Sequence, residues 1–164
     1  MQTFLPYEDC RESVRSLDDK RLVKQRVEAY QIISALTGRP RKDGKPYKGW
    51  VNHPCTIMWG GNINALKLYY NRTIEEWVRR GFVNTMVFEE ITGKVELPDW
   101  LGCEPFHSSH RSNLLRKDPL HYSQFNWDES SGDPYVWMDG DKRWYRQMTG
   151  KSYRDYFEIN KKIF

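Results

Sequence analysis

No stretch of this chain approaches the ~20 consecutive apolar residues that a membrane-spanning helix requires. Its opening, MQTFLPYEDC, has no apolar core of the kind a secretory signal carries. The expectation is a soluble protein of the cytoplasm. Cysteine is scarce: Cys10, Cys55 and Cys103 are odd in number and far apart, which suits reduced thiols and excludes a disulfide framework. The excess of positive charge is small, 26 Lys and Arg against 22 Asp and Glu, and does not by itself indicate a nucleic-acid partner. P-loop, GxGxxG, G-x-S-x-G and HExxH motifs are all missing, which removes the common phosphate-cradling, dinucleotide, serine-hydrolase and zinc-protease readings. Cys103, His107 and His110 form C-x3-H-x2-H, but no fourth ligand is evident and the spacing matches no closed zinc site. No metal and no small-molecule cofactor are expected.

What the chain does have is length for one well-packed domain and many aromatics, 7 Trp, 10 Tyr and 7 Phe. These serve a core first, but their faces also stack on bases. The spacing predicts a long helix over Asp18–Leu36, with Leu22, Val23, Arg26 (by its stem), Val27, Tyr30, Ile33 and Leu36 on the buried side. Asp18 or Asp19 can cap its start, and Gly38 with Pro40 supplies the stop. On the other side Lys20, Lys24 and Glu28 stand four residues apart, beside Arg21 and Gln25. Two readings of that stripe stay open. It is a solvated face holding one Lys24–Glu28 pair worth ~0.3–0.5 kcal/mol, or it is a proton-handling carboxylate among phosphate contacts.

Residues Met1 to Tyr7 read as extended because Pro6 blocks an early helix, and a weak helical pattern follows to Leu17. Gly38–Asn52 is a Pro- and Gly-rich loop carrying Arg39, Arg41, Lys42, Lys45 and Lys48, either a flexible linker or a phosphate-contacting loop. A second long helix is predicted from Pro54 to Arg80, with Trp59, Ile63, Leu66, Tyr70, Ile74 and Trp77 on one face and Gly81 as the stop. Gly60-Gly61 is its weak point. Phe82–Cys103 reads as an irregular connection. Pro105–Lys117 reads as a helix with a polar, basic face that includes His107, His110, Arg111, Asn113, Arg116 and Lys117. Asp118-Pro119 opens a short helix, and Ser130–Pro134 is a loop.

The order of these pieces is informative. A helix bearing Leu17, Asp19 and Glu28 precedes a basic loop. A His53-Pro54 entry then leads into an aromatic-striped helix ending in Arg79, Arg80, Gly81 and Phe82. A third helix with Leu114 and Leu115 runs into Asp118–Tyr122. Together these resemble the pyrimidine dimer DNA glycosylase family, the small all-helical endonuclease V type of phages and viruses. The likeness covers about residues 10–125. MQTFLPY, KRLVKQRVEAYQI and FHSSHRSNLLRKDPLHY are similar to a bacterial and phage branch of that family.

The resemblance implies an all-α, compact single-domain helical fold with long irregular loops. It implies a glycosylase-like domain over residues 1–125, with the aromatic-rich extension 126–164 packed on it. It implies chemistry in which an N-terminal α-amine attacks C1′ of a damaged nucleotide in double-stranded DNA and a helical glutamate moves protons, with no cofactor and no membrane. The family glutamate falls on Glu28. The amine falls on Met1, because Gln2 is too large for the initiator methionine to be removed; Lys20 and Lys24 are the other amines at hand. The DNA contacts implied are Lys20, Arg21, Lys24, Arg26, Arg41, Lys42, Lys45, His110, Arg111, Asn113, Arg116 and Lys117. The setting implied is the nucleoid or a phage-infected cell. The alternatives are a DNA-binding domain of the same fold without chemistry, or a helical RNA- or protein-binding module.

Overall fold

Two helices laid side by side carry the rest of the chain. The computed structural model describes residues 1–47, 49–138, 144–147 and 156–158. Lys48 of the basic loop and most of the chain beyond residue 147 fall outside them. The described residues are mostly helical, as the sequence implies: α1 (Cys10–Ser16), α2 (Asp19–Thr37), α3 (Pro54–Met58), α4 (Ile63–Arg79), α5 (Glu104–Lys117) and α6 (Pro119–Tyr122). Three short antiparallel strands follow, β1 (Val136–Met138), β2 (Trp144–Gln147) and β3 (Tyr156–Glu158), in that spatial order. β2 is central: Trp137 faces Tyr145 on one side and Glu158 faces it on the other. β1 lies against α3 and α5, with Val136 and Trp137 buried. No helix among the described residues is long and apolar enough to cross a membrane.

The ends of α2 follow their sequence signals. Asp18 accepts the Arg21 N–H at 3.1 Å, and Gly38, at φ +64°, closes the helix in the left-handed region where glycine pays no Cβ penalty. The Tyr122 hydroxyl donates to the second oxygen of Asp18 at 2.6 Å. His121 bonds the Ser16 carbonyl at 3.0 Å, so the Asp118–Tyr122 motif docks α6 onto the α1–α2 junction. Burial opposes ionisation of Asp18, but the bonds from Tyr122 and Arg21 outweigh it and hold its carboxyl below the ordinary range.

Two expectations for the helices change. Pro54–Arg80 is two helices: α3 ends at Met58, and Gly61, at φ +83°, turns the chain before α4 begins. Of the predicted stripe, Trp59, Leu66, Tyr70 and Ile74 are buried, while Ile63 and Trp77 are only partly covered. The inward face of α2 is also rotated. It presents Leu22, Gln25, Arg26, Ala29, Ile32 and Ile33, whereas Val23, Val27 and Tyr30 are 38%, 45% and 38% exposed. A 3.6-residue period allows two overlapping stripes one position apart, and the one containing Gln25 and Arg26 wins because both find partners inside.

Those partners explain the N-terminus. Residues 2–5 run as a buried segment that pairs with no β-strand among the described residues, so side chains must satisfy their backbone. Gln25, fully buried, donates to the Gln2 carbonyl (2.8 Å) and accepts from the Phe4 N–H (2.8 Å). The Tyr69 hydroxyl sits 2.5 Å from Gln25 Oε1 and 3.0 Å from the Phe4 carbonyl. His110 Nδ1 accepts from the Leu5 N–H (2.9 Å), and His107 Nδ1 lies 2.8 Å from the Leu5 carbonyl. Arg111 donates to the Pro6 carbonyl (2.8 Å). α2, α4 and α5 are thus arranged around the first residues of the chain.

The irregular segment after α4 is held the same way. Asn71 exchanges two bonds with the Glu89 backbone, and Asn62, Asn64, Lys67 and Tyr70 reach carbonyls between residues 87 and 96. The Arg79-Arg80-Gly81-Phe82 motif is a terminator. Both arginines grip the buried Glu76, at 2.7 and 2.8 Å, and Phe82 stacks on Trp77 at 4.1 Å.

Three substitutions check this account by chemical denaturation. Leu66→Ala removes a fully buried side chain between α2 and α4 and should cost about 2–5 kcal/mol. Val27→Ala, on the outward side of α2, should cost under about 0.5 kcal/mol. Gln25→Leu keeps the volume but orphans the Gln2 carbonyl and the Phe4 N–H, at about 1–3 kcal/mol for each buried group. A Gln25→Leu protein as stable as the parent would show that the N-terminal segment is not held in this way.

Candidate active site

The clamped N-terminus ends beside Glu28. The Gln2 N–H donates to Glu28 Oε2 at 3.0 Å, and Gln25 Nε2 approaches the same oxygen at 3.4 Å. Oε1 bonds no protein group among the described residues. The carboxylate is therefore fixed through one oxygen and open through the other. It faces a cavity of about 340 Å³ whose walls are Met1, Gln2 and Phe4 from the N-terminus, Lys20, Arg21, Lys24 and Gln25 from α2, Lys117 from the end of α5, and Tyr135 just before β1. Four cations around one carboxylate suit a phosphate-bearing ligand whose reacting atom lies next to that carboxylate.

The surroundings fix the chemistry further. His53 caps α3 by accepting the Cys55 N–H at 3.2 Å. Burial, and then the charge of the N-terminal amine, bring its pKa down to about 4. The Tyr135 ring packs near Phe4, His110 and Trp137 at 6.5, 5.7 and 5.6 Å, and burial raises its hydroxyl pKa well above the tyrosine norm. It stays a protonated donor at neutral pH. Lys117 Nζ lies 5.8 Å over the Phe4 ring. Arg21 donates to the Lys117 carbonyl at 2.5 Å and makes ion pairs with Asp18 and Asp118 at 3.3 and 3.7 Å, tying the α5 terminus to α2.

A wider depression of about 620 Å³ lies beside α1, lined in part by Glu8, Asp9, Glu12, Arg11, Arg72 and Cys10. Burial and the nearby Asp9 push the Cys10 thiol up to about 11, so it offers no thiolate nucleophile. The smaller cavity is the chemically equipped one.

Of the residues singled out from sequence, Met1, Lys20, Arg21, Lys24, Glu28 and Lys117 meet in this cavity. Others do not join it. Arg26 is buried, lies 4.5 Å over the Trp77 ring and bonds Asn84. His110 is fully buried with Nδ1 committed to Leu5, and burial holds it neutral. Asn113 is buried on the Ser109 and Asp133 carbonyls. Arg111 is spent on Glu104, Glu129 and Pro6. Those four are engaged with protein groups and stand outside the cavity lining. Arg116 is exposed and bonds Asn113 at 3.3 Å. Arg41, Lys42 and Lys45 are exposed on a small turn closed by the Arg41 N–H and the Lys45 carbonyl at 2.8 Å, where Arg41 also pairs with Asp43 at 3.6 Å. His107 bonds Leu5 through Nδ1 and the Gly102 N–H through Nε2, leaving no ring nitrogen for a metal.

Gln2, Gln25 and Tyr135 were not legible as site residues. Gln25 left one signal: an amide on the face that Leu22, Ala29 and Ile32 share needs a buried partner. No curated protein and no solved structure matches the chain. The model of one family, pyrimidine dimer DNA glycosylase, matches residues 1–90, a stretch that holds the clamped N-terminus, α1 to α4 and Glu28, and stops short of Lys117 and Tyr135. Over more than half its length, then, this chain belongs to the pyrimidine dimer DNA glycosylase family.

Proposed function

We propose that this protein excises a damaged or modified pyrimidine, of the dimer type, from duplex DNA and then acts as an AP lyase through an imine intermediate. One observation carries the reading: a carboxylate anchored to the chain's first peptide group opens into a cavity rimmed by cations and amines.

The chemistry follows from that arrangement. C1′ is hidden in the duplex stack, so the target nucleotide is extruded into the cavity. Lys20, Arg21 and Lys24 hold its flanking phosphates. An amine of the cavity attacks C1′, the electron pair of the glycosidic bond leaves on the base nitrogen, and the base takes the proton that the new C1′-bound ammonium gives up, which restores the amine lone pair. The sugar ring then opens: the amine lone pair forms the C1′=N bond, the C1′–O4′ bond breaks, and O4′ takes a proton. Glu28 removes a proton from C2′, and that pair expels the 3′ phosphate. The family resemblance points to the Met1 α-amine as the nitrogen, with Lys20 and Lys24 beside it. The exposed loop with Arg41, Lys42 and Lys45, together with Arg116 and Lys117, extends the phosphate-binding surface. A soluble, DNA-associated life in the cytoplasm fits this reading.

Glu28→Gln keeps the side chain's size and its bond to the Gln2 N–H while removing the base. Turnover on a dimer-containing duplex should fall by about two orders of magnitude or more, with duplex affinity unchanged or slightly raised. Full activity would defeat this mechanism and favour a DNA-binding domain without chemistry. A second measurement addresses the loop. Neutralising Arg41, Lys42 and Lys45 together should reduce the slope of log affinity against log salt by roughly 0.9 for each phosphate that the loop no longer neutralises. An unaltered slope would take the loop out of the interface.

A further inference from the structure

The cations and the carboxylate of the cavity suit a phosphate and a sugar carbon, but part of its wall is aromatic. Phe4 and Tyr135 are the two rings that line it. Their centroids lie 6.5 Å apart, with the planes tilted by 50°. Phe4 is buried and Tyr135 half-buried, and the Tyr135 hydroxyl bonds no protein group among the described residues. The ring is nevertheless firmly placed. Asn113 donates to the Asp133 carbonyl (2.6 Å), Ser112 accepts from the Asp133 N–H (2.7 Å), and Ser109 accepts from the Val136 N–H (3.2 Å). Three polar side chains of α5 thus hold the backbone on either side of Tyr135, while its ring rests near His110 and Trp137. The result is a pre-positioned donor, uncommitted, in the wall of the cavity that holds Glu28.

We infer that Tyr135 reads the base: its hydroxyl donates a hydrogen bond to the O2 carbonyl of the extruded pyrimidine, and its ring with that of Phe4 forms the wall beside it. The inference rests on the glycosylase reading and deepens it. When the C1′–N1 bond breaks, its electron pair passes to the base. The negative charge spreads from N1 to the carbonyl oxygens, and O2 is the nearer, because its carbon adjoins N1. A neutral donor fixed at that oxygen bonds more strongly as the charge develops, so it stabilises the transition state more than the ground state. Tyr135 keeps its proton throughout, since burial holds the hydroxyl protonated at neutral pH. The base is protonated instead from the ammonium formed at C1′. The same contact defines a substrate class. In a pyrimidine a carbon next to the glycosidic nitrogen carries a carbonyl oxygen, whereas in a purine neither neighbour of that nitrogen does. Tyr135 lies beyond the stretch that matches the family, so its position carries no inherited role.

Single-turnover assays of Tyr135→Phe on two duplexes test this, one carrying a cyclobutane pyrimidine dimer and the other a preformed abasic site. The variant keeps the ring and its contacts with Phe4, His110 and Trp137 and loses only the hydroxyl. Glycosidic cleavage of the dimer duplex, read after hot alkali so that no lyase step is needed, should slow by about two orders of magnitude, the scale of one lost transition-state donor. Strand cleavage at the abasic site, where there is no base to read, should proceed at the parent rate. Equal slowing on both duplexes would reduce Tyr135 to a support of the cavity, and parent rates on both would show that its hydroxyl meets nothing that reacts. Either result would overturn the inference and leave the glycosylase reading standing. Failure of the parent protein to cleave the glycosidic bond of the dimer duplex would instead overturn the glycosylase reading, and this inference with it.

Discussion

The fold depends on an amide that is never seen from outside. Gln25 holds the Gln2 carbonyl with one end and the Phe4 N–H with the other, and so fixes a segment that pairs with no strand among the described residues. An extended chain in a dry interior normally solves its hydrogen-bonding problem by pairing with another strand. Here three helices, α2, α4 and α5, solve it with side chains, each contributing a donor or acceptor at the depth where the backbone needs one. Every other property of the cavity follows, because Glu28 sits one turn after Gln25 on α2 and inherits its position.

The same solution appears twice. α4 carries a row of amides, a lysine and a tyrosine along the side facing residues 87–96, and these bond the backbone of a segment that is neither helix nor strand. Polar side chains in helices are usually taken as surface or as ligands. In this protein many are internal carpentry, bonding peptide groups of the irregular stretches at residues 2–6 and 87–96.

That is also why the site was only half legible. Helix boundaries were readable where capping chemistry is local, as at Asp18 and Gly38, and the break at Gly61 was visible as a weakness though not as a turn. Glu28, Lys20, Lys24 and Lys117 line one cavity; charge and spacing singled out the stripe on α2 but left two readings of it open, and only the family resemblance pointed to Glu28. His110, Asn113, Arg111 and Arg26 have inward partners that were not legible, because a polar residue on a basic helix looks the same in sequence whether it meets a phosphate or a peptide group far along the chain. Leu5, through its N–H, and His110 are such a pair, 105 positions apart. The three strands after residue 135 were missed because β1 and β3 are three residues long and β2 four, too short for an alternation to register.

The separation between Leu5 and its two histidines has a bearing on how the molecule is made. Gln2 and Phe4 find their partners on α2 and α4, yet the groups that satisfy Leu5 and Pro6 arrive with α5, more than a hundred residues later. Helices α1, α2 and α4 can collapse on one another during synthesis, but the segment they surround is fully seated only once α5 has been added. Its closure is a long-range contact of the kind that slows folding. The cavity beside Glu28 acquires its far wall later still, with Lys117 and Tyr135.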